Sequence, residues 1–445
     1  MRSNQKRKGL SRLILSLGAL ALLALGPRVY GQETKPKELT LGEVLRLAEK
    51  ESPSLKASVS RENESREFTR AADSGFFPSL GLDAVASNGF PGSSSGFGTS
   101  GLNGFPGLAA SPYRAGPAAD AYAKWDLLDV SVWHQSAAAH YEYQASQERT
   151  KLQSELVDQQ ALRVYLEAVR VRGDQEAWQK LADELSGIRD IVKRFVRNGQ
   201  YSEVQGLLIE DQLADAALRA GDYGLQYQAA LQRLALLTGQ EAKTISCPAP
   251  LELSGEEATN LTTTGPSPLI TQAEFEVKSA KETTAKYSAQ NLPVLEVAGS
   301  AGYLSGTRLE PAQDYSLFVG VSLPLFEGFR IDAQEKAARS EAEARQSEVS
   351  ADQLALKEFN IQYDEQVSAA LEELKILGDE TERSVKAATL AKQRYLSFLG
   401  PLSDLQQALK DKVNLDIQTA DTKTRFFSAA VSRYLLNGGT SENLK

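Results

Sequence analysis

Residues 315–330 read Tyr315-Ser316-Leu317-Phe318-Val319-Gly320-Val321-Ser322-Leu323-Pro324-Leu325-Phe326-Glu327-Gly328-Phe329-Arg330. Tyr315, Leu317, Val319, Val321, Leu323 and Leu325 oppose Ser316, Gly320 and Ser322. That period of two predicts a strand with one apolar face over about 314–326. From Arg330 the pattern changes to a polar, Ala-rich stretch that runs to about Ser397. As one helix it spans about 100 Å at 1.5 Å per residue. A rod-like coiled coil is the plain alternative, but such rods do not carry apolar-faced strands.

Working outward, the same plan occurs twice. Phe77-Pro78-Ser79-Leu80-Gly81-Leu82-Asp83-Ala84-Val85-Ala86 parallels Leu292-Pro293-Val294-Leu295-Glu296-Val297-Ala298-Gly299-Ser300-Ala301 at an offset of 215. Trp125-Asp126-Leu127-Leu128-Asp129 parallels Leu323-Pro324-Leu325-Phe326-Glu327 at an offset of 198. The surplus of 17 residues lies in 88–118, a Gly/Ser/Pro segment that repeats Asn-Gly-Phe-Pro-Gly at 88–92 and 103–107 and reads as an exposed loop. The copies end alike, at Leu237-Thr238-Gly239 and Leu436-Asn437-Gly438. The first repeat is expected over 32–239, with strands near 77–87 and 119–129 and long helices over 132–238. A linker fills 240–266, and the second repeat takes 267–445, with strands near 292–303 and 314–326 and helices over 330–437. Thr40 is the expected N-cap of a short amphipathic helix, and a second helix follows from about Ser54 toward Ala72.

All four strands alternate. Leu80, Leu82, Ala84 and Ala86 share one face, as do Leu295, Val297, Gly299, Ala301 and Tyr303. Half-buried strands of a soluble sandwich alternate equally well, so the pattern by itself leaves sandwich and membrane barrel open. Counting separates them further. Four strands are too few to close a barrel, which needs roughly eight, and lipid tolerates no unpaired edge. Membrane strands here therefore require a barrel shared between subunits, which means a cyclic homo-oligomer.

The helices carry coiled-coil spacing. Trp178, Leu181, Leu185, Ile188, Val192 and Phe195 form one seam; Val157, Ala161, Val164, Ala168 and Val171 form another in a different register, with a skip near Gly173.

The N-terminus reads as an export signal. Arg2, Lys6, Arg7, Lys8 and Arg12 precede an apolar run from Leu13 to Leu25, and Val29-Tyr30-Gly31 fits a cleavage site. Removing 1–31 takes away six basic and no acidic residues, so the net charge of −9 becomes −15. Such acidity disfavours non-specific nucleic-acid binding. One Cys, one Met and two His leave little material for metal or redox chemistry. His134 and His140 are six apart and share no helix face, and Cys247 has no partner for a disulfide. No phosphate-cradling glycine loop is present, and pairs such as Glu372-Glu373 sit on polar helix faces. No catalytic set, metal site or cofactor is expected. Trp125 and Trp133 are candidate membrane-interface aromatics at the strand–helix junction.

Three motifs together resemble the TolC family of outer-membrane efflux proteins. They are the opening segment Thr40-Leu41-Gly42-Glu43-Val44-Leu45-Arg46-Leu47-Ala48-Glu49-Lys50-Glu51-Ser52-Pro53-Ser54-Leu55, the strand start Phe76-Phe77-Pro78-Ser79-Leu80, and the junction Leu323-Pro324-Leu325-Phe326-Glu327-Gly328-Phe329-Arg330. The resemblance implies a mostly α fold with a membrane β-barrel. In it, a duplicated helix-strand-strand-helix subunit forms a homotrimeric duct with a twelve-stranded barrel and a periplasmic coiled-coil α-barrel. It also implies an equatorial belt containing the linker, a place in the cell outer membrane, and partnership with a periplasmic adaptor and an inner-membrane pump. Such a duct serves tripartite efflux or type I secretion and is not an enzyme. A periplasmic coiled-coil adaptor or scaffold is the alternative. By the same resemblance the helix turns close the pore, through an aromatic followed nine residues later by Asp. Tyr395 and Asp404 keep that spacing; in the first half Phe195 is followed by Glu203. Asp404, Glu203, Arg394 and Tyr395 are thus the gate candidates, each acidic residue forming a ring of three under three-fold symmetry. Arg194 and Arg394 precede the two aromatics.

Overall fold

The computed structural model describes residues 37–87, 116–247, 266–306 and 309–439. The expected export signal, most of the 88–118 loop and most of the 240–266 linker lie outside the described residues. In chain order come β1 (Lys37–Glu38), α1 (Leu41–Glu51), α2 (Pro53–Asp73), β2 (Ser79–Ser87), β3 (Gly116–Leu128), α3 (Val130–Arg197), α4 (Glu203–Thr238), β4 (Ile245–Ser246), α5 (Pro268–Ala289), β5 (Val294–Gly306), β6 (Leu309–Ser322), α6 (Arg330–Leu396) and α7 (Leu402–Leu436).

Local chemistry sets the helix starts. Thr40 Oγ1 accepts from the Glu43 N–H while a Glu43 carboxylate oxygen accepts from the Thr40 N–H, a reciprocal capping box that opens α1. Ser52 caps α2 ahead of Pro53, whose missing N–H costs nothing in the first turn. The Asp129 carboxylate accepts from the Ser131 N–H at 2.8 Å and starts α3 immediately after β3. At 68 residues α3 is about 100 Å long, and the 67-residue α6 matches it.

The two heptad registers read along α3 serve two separate cores. Val157, Ala161, Ala168 and Val171 join Leu45, Leu234, Phe426 and Leu435 in one cluster, where α1, α4 and α7 meet α3. Trp178, Leu181, Leu185, Ile188 and Val192 join Ile209, Leu405 and Val413 in a second, toward the helix turns. The helix runs unbroken through Gly173, so the skip changes which face is buried without interrupting the backbone.

Helix neighbours fix the order across the subunit. In the lower half the row is α4-α3-α7-α6; in the upper half α2-α3-α5-α6. The upper row is bridged by ion pairs centred on Glu276 of α5, to Arg149 of α3 at 2.6 Å and to Arg345 of α6 at 3.3 Å. One flank of the wedge is therefore α2 with α4, and the other is α6.

β2, β3, β5 and β6 form a four-stranded antiparallel sheet in that order. β1 pairs with β4 in a short parallel ladder beside the first core. The last strand differs from the sequence-based expectation. β6 ends at Ser322, and Leu323–Phe326 leave the ladder although Leu323 and Leu325 continue the alternation. Pro324 has no N–H to donate, and Gly328 and Phe329 then take φ values of 62° and 64°, which turn the chain into α6.

Candidate functional site

Two regions stand out: the sheet and the helix turns. The sheet register decides what its faces are. Across the strands Leu82, Ala121, Ala301 and Tyr315 line up in one row, and Leu80, Ala123, Gly299 and Leu317 in the next. Trp125, Val297 and Val319 follow, then Leu295 and Val321. Every residue in these rows is apolar or glycine apart from the Tyr315 hydroxyl, and the rows span the seven residues Leu295 to Ala301 of β5, about 20 Å. Leu80 and Leu317 are each 81% exposed, so the face is uncovered within the subunit. Its height approaches the roughly 25 Å apolar band of a membrane barrel.

The opposite face is polar. Its rows are Gly81, Tyr122, Ser300 and Ser316; then Ser79, Lys124, Ala298 and Phe318; then Asp126, Glu296 and Gly320. Lys124 pairs with Glu296 at 3.0 Å across β3 and β5, and Ser300 bonds Ser316 at 2.9 Å. A Cβ at Gly81 would strike the Tyr122 ring, so glycine there lets the aromatic lie flat across its neighbour strand.

The membrane-interface candidates sit where the strands meet the helices. Trp125 belongs to the apolar face, and its Nε1 donates to the Phe76 carbonyl at 2.9 Å. Trp133 stands half exposed in the first turns of α3. The histidines lie just beyond, each with a carboxylate on another helix. His134 Nδ1 is 2.7 Å from Glu282, and His140 Nε2 is 3.4 Å from Asp73.

At the other end the two turns are tied by aromatics. Tyr201, in the α3–α4 turn, stacks on Tyr395 at 5.0 Å and 9° between planes. Phe195 meets Tyr201 edge-on at 5.6 Å, and Phe398 lies 5.0 Å from both Phe195 and Tyr201. The Tyr201 hydroxyl donates to the Tyr395 carbonyl. Gly199 and Phe398 both adopt positive φ, at 72° and 65°, which reverses each chain within a few residues. Burial pushes the Tyr395 phenol up to about 12, with Tyr201 adding to the effect.

The four gate candidates thus part company. Tyr395 is fully buried in this cluster and holds turn to turn. Arg394 is exposed and donates to the Leu399 carbonyl at 3.4 Å. Glu203 and Asp404 are exposed in the first turns of α4 and α7, where a negative charge also complements the helix dipole. Phe195 and Tyr395 were visible as spaced aromatics. Tyr201 and Phe398 were not, because neither belongs to a periodic seam. Their role depends on two turns 200 residues apart meeting in space.

Two buried carboxylates on α3 lie outside both regions. Asp158 is 3% exposed with one oxygen lacking a hydrogen-bond partner, and burial beside Glu49 raises it to about 8. Asp174 is fully buried, is raised to about 6 by burial, and pairs with Arg170 at 2.9 Å.

Residues 264–435 match the family described as outer membrane efflux protein. The matched segment is most of the second repeat. Solved structures extend the likeness, in fold, to about nine tenths of the chain. The outer membrane protein VceC of Vibrio cholerae is 18% identical with a TM-score of 0.73, covering 90% of this chain and 96% of its own. The CmeC outer membrane channel of Campylobacter jejuni is 13% identical with a TM-score of 0.70, covering 93% and 91%. The open-state MtrE channel of Neisseria gonorrhoeae is 15% identical with a TM-score of 0.65, covering 90% and 89%. No curated protein matches the sequence. The matched segment ends one residue before the end of α7, and the shared fold continues through the first repeat. The resemblance read from the three sequence motifs is borne out. Among the described residues no helix is long and apolar enough to cross a membrane.

Proposed function

We propose that this chain is the subunit of an outer-membrane efflux duct that conducts cargo passively from a periplasmic adaptor and inner-membrane pump to the exterior. One observation carries the reading. An open four-stranded sheet with one continuous apolar face stands at the end of helices about 100 Å long. Lipid accepts that face only when the free edges of β2 and β6 are paired. Two copies supply eight strands, whose interior side chains fill; three supply twelve and leave a lumen. The homotrimer is accordingly the assembly that makes a duct.

The flanks suit the same assembly. Along α4 the exposed Val204, Leu207, Leu218, Leu225 and Leu236 follow heptad-compatible spacing. On the far flank α6 exposes Leu354, Ile361, Ile376 and Leu390. Packing α4 of one copy along α6 of the next buries both stripes and closes an α-barrel in the periplasm. The β1–β4 ladder, with the 240–266 linker, belongs to a belt around its middle. At the tips the aromatic cluster holds the two turns of each subunit together in the closed state. Asp404 and Glu203 form acidic rings at the pore, a cation-attracting constriction. Trp125 and Trp133 mark the periplasmic-side interface of the outer membrane, at the strand–helix junction, and the polar sheet face lines the lumen.

Membrane fractionation with unheated electrophoresis tests this. A detergent-resistant trimer in the outer membrane that forms channels in planar bilayers is expected; a soluble monomer would refute it.

A further inference from the structure

The loop between β6 and α6 is built in a way that its own subunit does not explain. Leu325 is 90% exposed, Phe326 74% and Phe329 73%. The Phe326 and Phe329 rings meet edge to face at 5.3 Å, forming one outward-facing apolar knob. Phe329 holds φ at 64°, a left-handed conformation that an L side chain with a bulky ring rarely adopts. No side-chain cap steadies the start of α6 at this point. An exposed aromatic kept in a disfavoured backbone conformation is the sort of local strain that marks a functional surface.

A second apolar patch lies at the opposite edge of the subunit. Phe77 is 69% exposed and Phe76 36%, in the short turn that leads from α2 into β2. The strand order β2-β3-β5-β6 puts these two patches on opposite edges, about 14 Å apart by the usual strand spacing, so they do not meet within one chain. The antiparallel order also puts the end of β6 and the beginning of β2 at the same, helix-proximal end of the sheet. When β6 of one copy pairs with β2 of the next, the knob arrives beside the patch.

We propose that the Leu325-Phe326-Phe329 knob is an inter-subunit clasp that seats on Phe76 and Phe77 of an adjacent copy of this chain. The clasp rests on the duct reading and names one of its contacts. It locks the joint between β-barrel and α-barrel, where the curvature of the two parts must be matched. Glycine at 329 would meet the same backbone need and lack the ring, so the exposed ring is what phenylalanine adds at this position.

Two measurements on the full-length protein test the clasp. The double variant F326C/F77C, in which native Cys247 is fully buried, is expected to give covalent dimers and trimers on mild oxidation. F329G relieves the backbone strain, so helical melting of the dissociated chain is expected to be unchanged or higher. The temperature at which the detergent-resistant trimer dissociates is expected to fall by several degrees. A wild-type trimer that shows no cross-link in F326C/F77C and no change in F329G overturns the clasp and leaves the duct reading standing. Loss of vesicle insertion in F329G with an unchanged trimer overturns it in favour of lipid as the occupant. A wild-type chain that is a soluble monomer removes the duct reading and the clasp together.

Discussion

Replacing Tyr201 should loosen the closed tip by an amount that the ring geometry sets. Tyr201 contacts Tyr395 at 5.0 Å, Phe398 at 5.0 Å and Phe195 at 5.6 Å, and donates to the Tyr395 carbonyl. Each aromatic pair contributes about 0.5–1.5 kcal/mol beyond area burial, so three pairs amount to about 3 kcal/mol. The hydrogen bond adds about 1 kcal/mol. Tyr201→Phe removes only the hydrogen bond, and Tyr201→Ala removes both. If the α3–α4 and α6–α7 turns separate when the duct opens, the ratio of open to closed should rise about five-fold in Y201F. In Y201A the rise should exceed a hundred-fold, since 1.4 kcal/mol corresponds to about a factor of ten. Single-channel recordings in planar bilayers read this as open probability. Equal effects in the two variants would contradict the ring arithmetic, and no effect in either would show that the turns stay joined during opening.

Further predictions concern other parts of the molecule. Asp404→Ala should raise single-channel conductance by removing a ring of three charges; unchanged conductance would take Asp404 out of the gate. Leu225→Glu puts charge into the exposed α4 stripe, and sedimentation should show the trimer falling apart while the far-ultraviolet helical signal persists. Asp158→Asn tests burial of an acid. Because Asp158 is raised from 3.8 to about 8, the fold retains its proton. Its contribution to stability is full below about pH 4 and is lost as pH rises toward 8. The variant should therefore melt several degrees higher than the parent at pH 8 and about equally at pH 4. A variant that melts equally at both would show that the carboxyl is ionised at no cost.

Much of this architecture is legible along the chain because it is built from long periodic segments. The bounds of α3, α4, α6 and α7 follow from uninterrupted helical spacing, and Thr40 is legible as an N-cap, to which the structure adds the reciprocal bond from Glu43. Where the sequence reading overshot, a single residue is responsible. Leu323 and Leu325 continue the alternation past Pro324, but alternation describes side chains and a ladder needs backbone donors. The aromatic cluster was half legible for a different reason. Tyr395 and Phe195 stand at helix ends in register with seams, whereas Tyr201 and Phe398 lie in turns, where no period identifies a partner.

By itself, then, the sequence determined the duplication, the lengths of the helices, the apolar face of each strand and the condition that strands placed in a membrane need a barrel shared between copies. All of these follow from periodicity and from the count of strands. The tertiary structure alone decided the order β2-β3-β5-β6, the flank on which each helix lies, and the burial of Tyr395 against Tyr201 of the other turn. It also decided that Phe329 stands exposed in a left-handed turn. Periodicity reports which side of an element is apolar. Which other element that side meets depends on contacts between residues hundreds of positions apart.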